Sequence, residues 1–205
     1  MLLKELDATK YAKDIFKHLA TLNIEKGSEV LAAKLSTDSG RYDFAIQISK
    51  QASYEKRFYN KYNYPIIATP KKINNKIMPN SEVILAIIRQ ESEFDARANS
   101  WAGARGMMQL MKYTAKIVAK QAKLPYSISR LTRDPEYNIK LGSYYFNSLI
   151  EDYNGIYPFA IAAYNAGPNR VKTWRRVNGD PSKGKLSYVN WIEPVSYTHL
   201  TLPTN

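Results

Sequence analysis

The run Ser81-Glu82-Val83-Ile84-Leu85-Ala86-Ile87-Ile88-Arg89-Gln90-Glu91-Ser92-Glu93-Phe94 puts a carboxylate at the end of an apolar stripe. On a helix, Ile84, Ile87 and Ile88 share one face, Glu91 continues it, and Phe94 follows. Burial penalises the charged form of such a carboxyl. Its pKa therefore rises, and it becomes available as a general acid near neutral pH. Glu93 points elsewhere and is expected to be solvated. The same pattern also fits a glutamate that merely ends the stripe at an exposed helix end. An acid at a helix C-terminus opposes the macrodipole, but the pattern alone leaves both readings open.

Other chemistries have little to work with. The chain contains no Cys, which removes thiol catalysis, disulfides and thiolate metal sites. Its two His, His18 and His199, are far apart, which argues against a Ser-His-Asp triad or a zinc enzyme. Acid–base work falls to carboxylates, and neither a metal nor an organic cofactor is expected. Two further segments carry candidate polar groups. In Ser100-Trp101-Ala102-Gly103-Ala104-Arg105-Gly106-Met107-Met108-Gln109-Leu110-Met111, two glycines permit tight turns and Gln109 sits among methionines. In Ala163-Tyr164-Asn165-Ala166-Gly167-Pro168, a helix ends on a Gly-Pro stop with Tyr and Asn at its tip. Taken alone, the first reads equally well as a methionine-filled core plug and the second as simple capping.

The elements that must position these groups are helical. Ser81 is a good N-cap for Val83–Ser92, and further helices are expected over Tyr113–Ala122, Pro135–Asp152 and Pro158–Tyr164. No alternating strand pair appears, so the fold should be almost wholly α. Upstream, Tyr11, Ile15, Leu19 and Leu22 fall at helical spacing. Val30, Leu31, Ala33 and Leu35 follow Ser28 as N-cap, and Phe44, Ile46 and Ile48 follow the turn Asp38-Ser39-Gly40. These make αα-hairpins, the unit of helical solenoids, which need neighbours to bury their apolar faces. From Phe58 to Pro79, Tyr and basic residues alternate and Pro65 and Pro70 interrupt, as in an extended connector. With no repeated aromatic platform, Tyr-rich packing is preferred there to single-strand nucleic-acid binding.

The 30 Lys+Arg against 18 Asp+Glu give a net charge of +12, spread over both halves of the chain. That suits an anionic polymer: nucleic acid, an acidic membrane surface or cell-wall glycan. The longest apolar run, Val83–Ile88, is far short of the roughly 20 residues of a membrane span. The N-terminus lacks a signal-peptide core, so either the protein is cytoplasmic or its first segment lies outside this sequence.

Glu91-Ser92-Glu93-Phe94, then Gly106-Met107-Met108-Gln109-Leu110-Met111, then Asp134-Pro135 with Asn138 and Gly142, and finally Ala163-Tyr164-Asn165-Ala166-Gly167-Pro168 together resemble the catalytic domain of soluble lytic murein transglycosylases. The likeness runs from about Pro79 to Pro194, and the hairpins before residue 57 resemble the end of that family's superhelical domain. The resemblance implies a mainly α fold: a lysozyme-like catalytic domain at 81–195, a connector at 58–80, and a partial α-helical solenoid at 1–57. It implies cleavage of the peptidoglycan bond between N-acetylmuramic acid and N-acetylglucosamine, with 1,6-anhydromuramoyl ends as products. Glu91 would be the one acid–base group, while Ser100, Gln109, Met111, Tyr164, Asn165 and Glu193 would meet the substrate. The implied partner is the glycan strand and not nucleic acid. A monomer of the periplasm or cell envelope is expected, with peripheral contact to membrane or wall.

The likeness stops after Trp191-Ile192-Glu193-Pro194. A Glu-Thr-Arg-x-Tyr element follows in the family, but Val195-Ser196-Tyr197-Thr198-His199-Leu200 follows here. The expectation is a catalytic domain short of its last helix, with a non-native tail at 196–205. Two rival functions follow from the same residues. Asp95, one turn after Glu91, would allow a hydrolytic muramidase if the helix continued that far. A non-catalytic peptidoglycan-binding module is the other.

Overall fold

Small residues decide how the first elements pack. The computed structural model describes residues 27–201, with Ile15 and His18 before them, and side chains as far as Val195. The expected helix through Tyr11, Leu19 and Leu22 therefore lies outside the described residues. Helices α1 (Ser28–Asp38) and α2 (Tyr42–Tyr54) form the anticipated hairpin. Gly27 rather than Ser28 takes the N-cap position of α1. Ala32 and Ala33 meet Ala45 and Ile48 across the hairpin, while Leu31 and Leu35 face outward. The apolar run is wider than the face the hairpin buries, because short side chains let the helix backbones approach and the longer leucines are left outside.

The connector contains the short helix α3 (Asn60–Asn63) and a hairpin of β1 (Lys72–Ile73) with β2 (Lys76–Ile77). Asn74 and Asn75 turn it at φ 46° and 64°, a left-handed geometry that asparagine tolerates. A second hairpin pairs β3 (Ala104–Arg105) with β4 (Leu110–Met111). The expectation of no strand pair fails here because two-residue strands are too short to show alternation.

The remaining elements are α4 (Ser81–Ser92), α5 (Lys112–Gln121), α6 (Arg130–Arg133), α7 (Pro135–Asp152), α8 (Tyr157–Ala166), α9 (Pro168–Val177), a 3-10 turn at Pro181–Lys183, and α10 (Tyr188–Thr201). Asn80 caps α4, and Ser81, the expected cap, is its first residue, sharing a 2.7 Å hydrogen bond with Thr69. Helix α7 has the expected bounds. Asp134 Oδ1 accepts from Tyr137 N at 3.0 Å, and Pro135 takes the first turn. This helix lies between two cores. Ile139, Phe146 and Leu149 join Ile84, Ile88, Phe159 and Trp191, while Tyr137 and Leu141 join Leu110, Val118 and Leu131.

Helix α2 also reaches the first core through Ile46. At the other end of the chain, α10 continues to Thr201, through the start of the segment set apart at residue 196. Trp191 and Val195, four residues apart, give it an inward face. The Trp191 indole stands edge-on to the Phe159 ring at 4.9 Å. Among the described residues, no helix is long and apolar enough to cross a membrane.

Candidate active site

The α4 stripe delivers Glu91 half-buried at the last turn of the helix. Burial alone pushes its carboxyl up to about 7. No cation or hydrogen-bond donor among the described residues offsets that cost. This decides between the two sequence readings, since a glutamate at an exposed helix end would feel no such penalty.

The helix ends abruptly just beyond it. Glu93 (φ 51°) and Phe94 (φ 65°) are both left-handed, a conformation that costs non-glycine residues roughly 1 kcal/mol or more each. The reversal drives Phe94 into the core, where it meets Tyr42 of α2. Glu93 does leave the stripe, but it is ion-paired rather than simply solvated: Lys50 Nζ lies 2.6 Å and Arg89 Nη1 3.4 Å from its Oε1. Arg89 in turn donates to the Asn63 carbonyl and to Asn63 Oδ1. The upstream hairpin and connector thus hold the turn that follows Glu91. Asp95 lies beyond the helix end, and its Oδ1 accepts from Arg97 N at 2.9 Å. It cannot share a helical face with Glu91, which removes the geometry needed by the hydrolytic rival.

Two carbonyls of the β3–β4 loop are fixed from either side of the acid. Ser92 Oγ donates to the Met107 carbonyl at 2.7 Å, and Tyr164 Oη donates to the Met108 carbonyl at 2.7 Å. Burial holds the Tyr164 phenol well above its usual range, and the nearby Glu91 charge adds to this. Tyr164 therefore keeps its proton on Met108 and does not act as a base. Its ring packs on Tyr145 at 5.4 Å and edge-on to Phe146 at 5.9 Å. Tyr164→Phe is expected to cost about 1–2 kcal/mol by orphaning the Met108 carbonyl, read as a lower midpoint in urea.

The same loop is held from below. Asn138, fully buried on α7, accepts from Met108 N at 2.8 Å and donates to the Arg105 and Leu131 carbonyls at 2.9 and 3.0 Å. Gly106 and Gly142 allow this close approach. A Cβ on Gly106 would overlap the Leu131 carbonyl and the Asn138 amide, and one on Gly142 would overlap the Met108 side chain. Gln109 is left-handed (φ 44°), and its Nε2 donates to the Gly106 carbonyl at 2.8 Å.

Of the residues anticipated from sequence, Glu91, Gln109 and Tyr164 come together through this loop. Ser100 sits at its base, its Oγ accepting from Ala104 N at 2.9 Å. Met111 is exposed on β4, and Asn165 is exposed at the end of α8. Glu193 is exposed on α10, and no hydrogen bond or ion pair among the described residues joins it to the cluster. Sequence reasoning gave no site role to Ser92, Asn138 or Tyr145. A signal existed for Asn138, a polar residue on the inward face of α7 beside Leu141 and Gly142. Among the described residues, no His/Asp/Glu cluster is arranged to hold a metal ion.

Residues 69–187 match the family described as the Transglycosylase SLT domain. The chain belongs to that family. The SLT match spans the β1–β2 hairpin, Glu91, the β3–β4 loop, Asn138 and Tyr164. Among curated relatives, the soluble lytic murein transglycosylase of Escherichia coli K12 is 36% identical over 115 residues, covering 56% of this chain and 17% of that protein. Membrane-bound lytic murein transglycosylase F of Aeromonas hydrophila is 33% identical over 107 residues, covering 49% of this chain and 20% of that protein. The chain thus matches only a small part of these relatives' length.

Two solved structures share the fold across nearly the whole chain. The 70 kDa soluble lytic transglycosylase Slt70 of E. coli has a TM-score of 0.79 at 26% identity, covering 96% of this chain and 31% of that one. An inactive Glu-to-Gln mutant of lytic transglycosylase Slt from Pseudomonas aeruginosa has a TM-score of 0.74 at 29% identity, covering 95% and 31%. The fold is accordingly the mainly α, lysozyme-like one of this family.

Proposed function

We propose that this SLT-family chain is a lytic transglycosylase that cleaves the β-1,4 bond between N-acetylmuramic acid and N-acetylglucosamine in peptidoglycan. The observation that carries the reading is the half-buried Glu91 carboxyl, pushed up to about 7 by burial, with no second carboxylate among the described residues contributing to that shift. Hydrolytic glycosidases commonly use two carboxylates, about 5–9.5 Å apart. A transglycosylase needs one, because the substrate supplies the nucleophile. Glu91 gives its proton to the glycosidic oxygen, and the C1–O bond breaks. The resulting carboxylate then takes the proton from the muramoyl C6 hydroxyl as that oxygen bonds to C1. The acid is regenerated, the product carries a 1,6-anhydro ring, and no water is consumed.

The family's substrate positions, carried residue by residue, make Ser100, Gln109, Met111, Tyr164 and Asn165 the lining of the sugar subsites, with Glu193 a more distant contact. Residues 81–195 would be the catalytic unit, 58–80 its connector, and the α1–α2 hairpin the end of a helical solenoid. The cell envelope is the compartment where this substrate lies, and the net charge of +12 suits an anionic wall polymer. Similarity to lytic murein transglycosylases, both soluble and membrane-bound, supports the reading.

Mass spectrometry of muropeptides released from purified sacculi tests it. Anhydro ends are expected, whereas reducing ends would mean a hydrolase and no release a binding module. The pH dependence follows from the acid. Glu91 must start protonated, so kcat/KM is expected to hold below pH about 7 and to fall about tenfold per pH unit above it. Initial rates of anhydro-product release from about pH 5 to about pH 9 check this, and a flat alkaline limb would remove Glu91 from the acid role.

A further inference from the structure

Helix α2 carries Tyr42, Ile46 and Lys50 at i, i+4 and i+8, a single row along one face. Each member of the row meets the helix that bears Glu91 or the turn beyond it. Tyr42 packs against Phe94, with ring centroids 6.3 Å apart. Ile46 shares the core of Ile84 and Ile88. Lys50 Nζ lies 2.6 Å from Glu93 Oε1 and so ties the hairpin to the end of α4. The turn needs such support. Glu93 and Phe94 are consecutive left-handed residues, and neither type favours that region. Arg89 Nη1 reaches the same Glu93 oxygen at the longer distance of 3.4 Å. Glu91 stands only two residues before Glu93, so the way the reversal is set fixes the last turn of α4 and the aim of the Glu91 carboxyl.

We propose that Lys50 is a positioning residue for the reaction: its pairing with Glu93 fixes the reversal after α4 and thereby the direction in which Glu91 presents its carboxyl. The α1–α2 hairpin is then part of the catalytic apparatus and not an appended element. Lys50 touches neither substrate nor reacting atoms and acts through Glu93 alone. Proton transfer demands hydrogen-bond reach and alignment, so a small displacement of the acid costs turnover more than binding. The pair itself is partly exposed, its side chains 43% and 28% accessible, and adds little to global stability. A positioning role and a structural one therefore predict different losses. The proposal rests on the lytic transglycosylase reading given above and adds what aims its acid.

The test uses the full chain. Lys50→Met, Glu93→Gln, their double variant and Lys50→Arg are compared with Lys76→Met/Glu151→Gln, which removes another ion pair between distant elements. The readouts are kcat and KM for anhydro-product release, the urea midpoint, and titration of the Glu91 carboxyl followed by 13C NMR. Each single variant is expected to lose about tenfold in kcat with KM and midpoint close to the wild type. The double variant should lose no more than either single one, as for two residues that act as a unit. Lys50→Arg and the Lys76/Glu151 control should keep their kcat. The charged and titratable groups of the elements meeting at this end of α4 are Arg89, Glu93 and Asp95, Lys50 and Tyr42 on α2, Tyr145 on α7 and Tyr164 on α8. The double variant leaves their summed charge unchanged, so a lower Glu91 titration point there reports a moved and better hydrated carboxyl. Unchanged kcat in Lys50→Met, additive losses in the double variant, an equal loss in the control, or a Glu91 titration identical in double variant and wild type would each overturn the assignment. If the wild type releases no anhydro product, the catalytic reading fails, while the Glu91 titration still decides whether the pair positions the carboxyl.

Discussion

Glu91→Gln is expected to lower release of anhydro product by about a thousandfold at pH 6, and at pH 8 to make the fold more stable by about 2–3 kcal/mol. Both effects come from one carboxyl. In the proposed mechanism Glu91 serves both proton transfers, with no second carboxylate among the described residues contributing to its shift, and glutamine can serve neither. For stability, the unfolded glutamate ionises near 4.5 and the folded one near 7. Between those values the folded chain still holds a proton that the unfolded chain has released, so stability falls as pH rises through this window. It is undiminished below 4.5 and reaches its lowered level above 7. Glutamine has no charge to desolvate, so the two proteins should be equally stable at low pH and diverge as pH rises. Urea denaturation of both at pH ~4 and ~8 reads this directly. A stability gap unchanged between the two pH values would mean that burial is not what raises the acid.

What the sequence made legible was periodic, and what it hid was local. Glu91 could be read because the Ile84/Ile87/Ile88 stripe fixes the face on which it must lie. Helix α7 could be bounded because Asp134-Pro135 is a start signal at the backbone level. The end of α4 could not be read. Glu93 and Phe94 adopt positive φ without glycine, and nothing in their types announces it. That turn depends on Lys50, Asn63 and Tyr42, which are remote in sequence. The hairpins β1–β2 and β3–β4 were missed because two-residue strands have no period. The outward Leu31 and Leu35 show the opposite failure, since hydrophobicity named the wrong face where alanines set the helix approach. The candidate site was therefore visible as residue types, while the hydrogen bonds that give it shape were not. Those bonds run through backbone carbonyls, which every residue possesses.

Asn138→Ala is expected to destabilise the chain by about 3–4 kcal/mol and to slow turnover, although Asn138 touches no substrate in the proposed mechanism. Its side-chain amide is fully buried and satisfies three backbone groups, the Met108 N–H and the Arg105 and Leu131 carbonyls. Alanine leaves all three without that partner and opens a cavity between α7 and the β3–β4 loop. The loop carries the Met107 and Met108 carbonyls that receive Ser92 and Tyr164, so loosening it admits water beside Glu91. Hydration would let the carboxyl fall back from about 7 towards 4.5, and the alkaline limb of the rate profile should move to lower pH with it. Asn138→Asp separates packing from hydrogen bonding. It keeps the shape and an acceptor for Met108 N, but at neutral pH it loses the donor and faces two carbonyls with a charge. It should therefore be no more stable than the alanine variant at pH ~8 and recover part of the loss as the pH drops and the carboxyl gains a proton to donate. Thermal melts at the two pH values, with rate profiles of the surviving activity, check both variants. If Asn138→Ala kept its alkaline limb unshifted while losing stability, the loop would be a structural element alone and the burial of Glu91 would arise elsewhere.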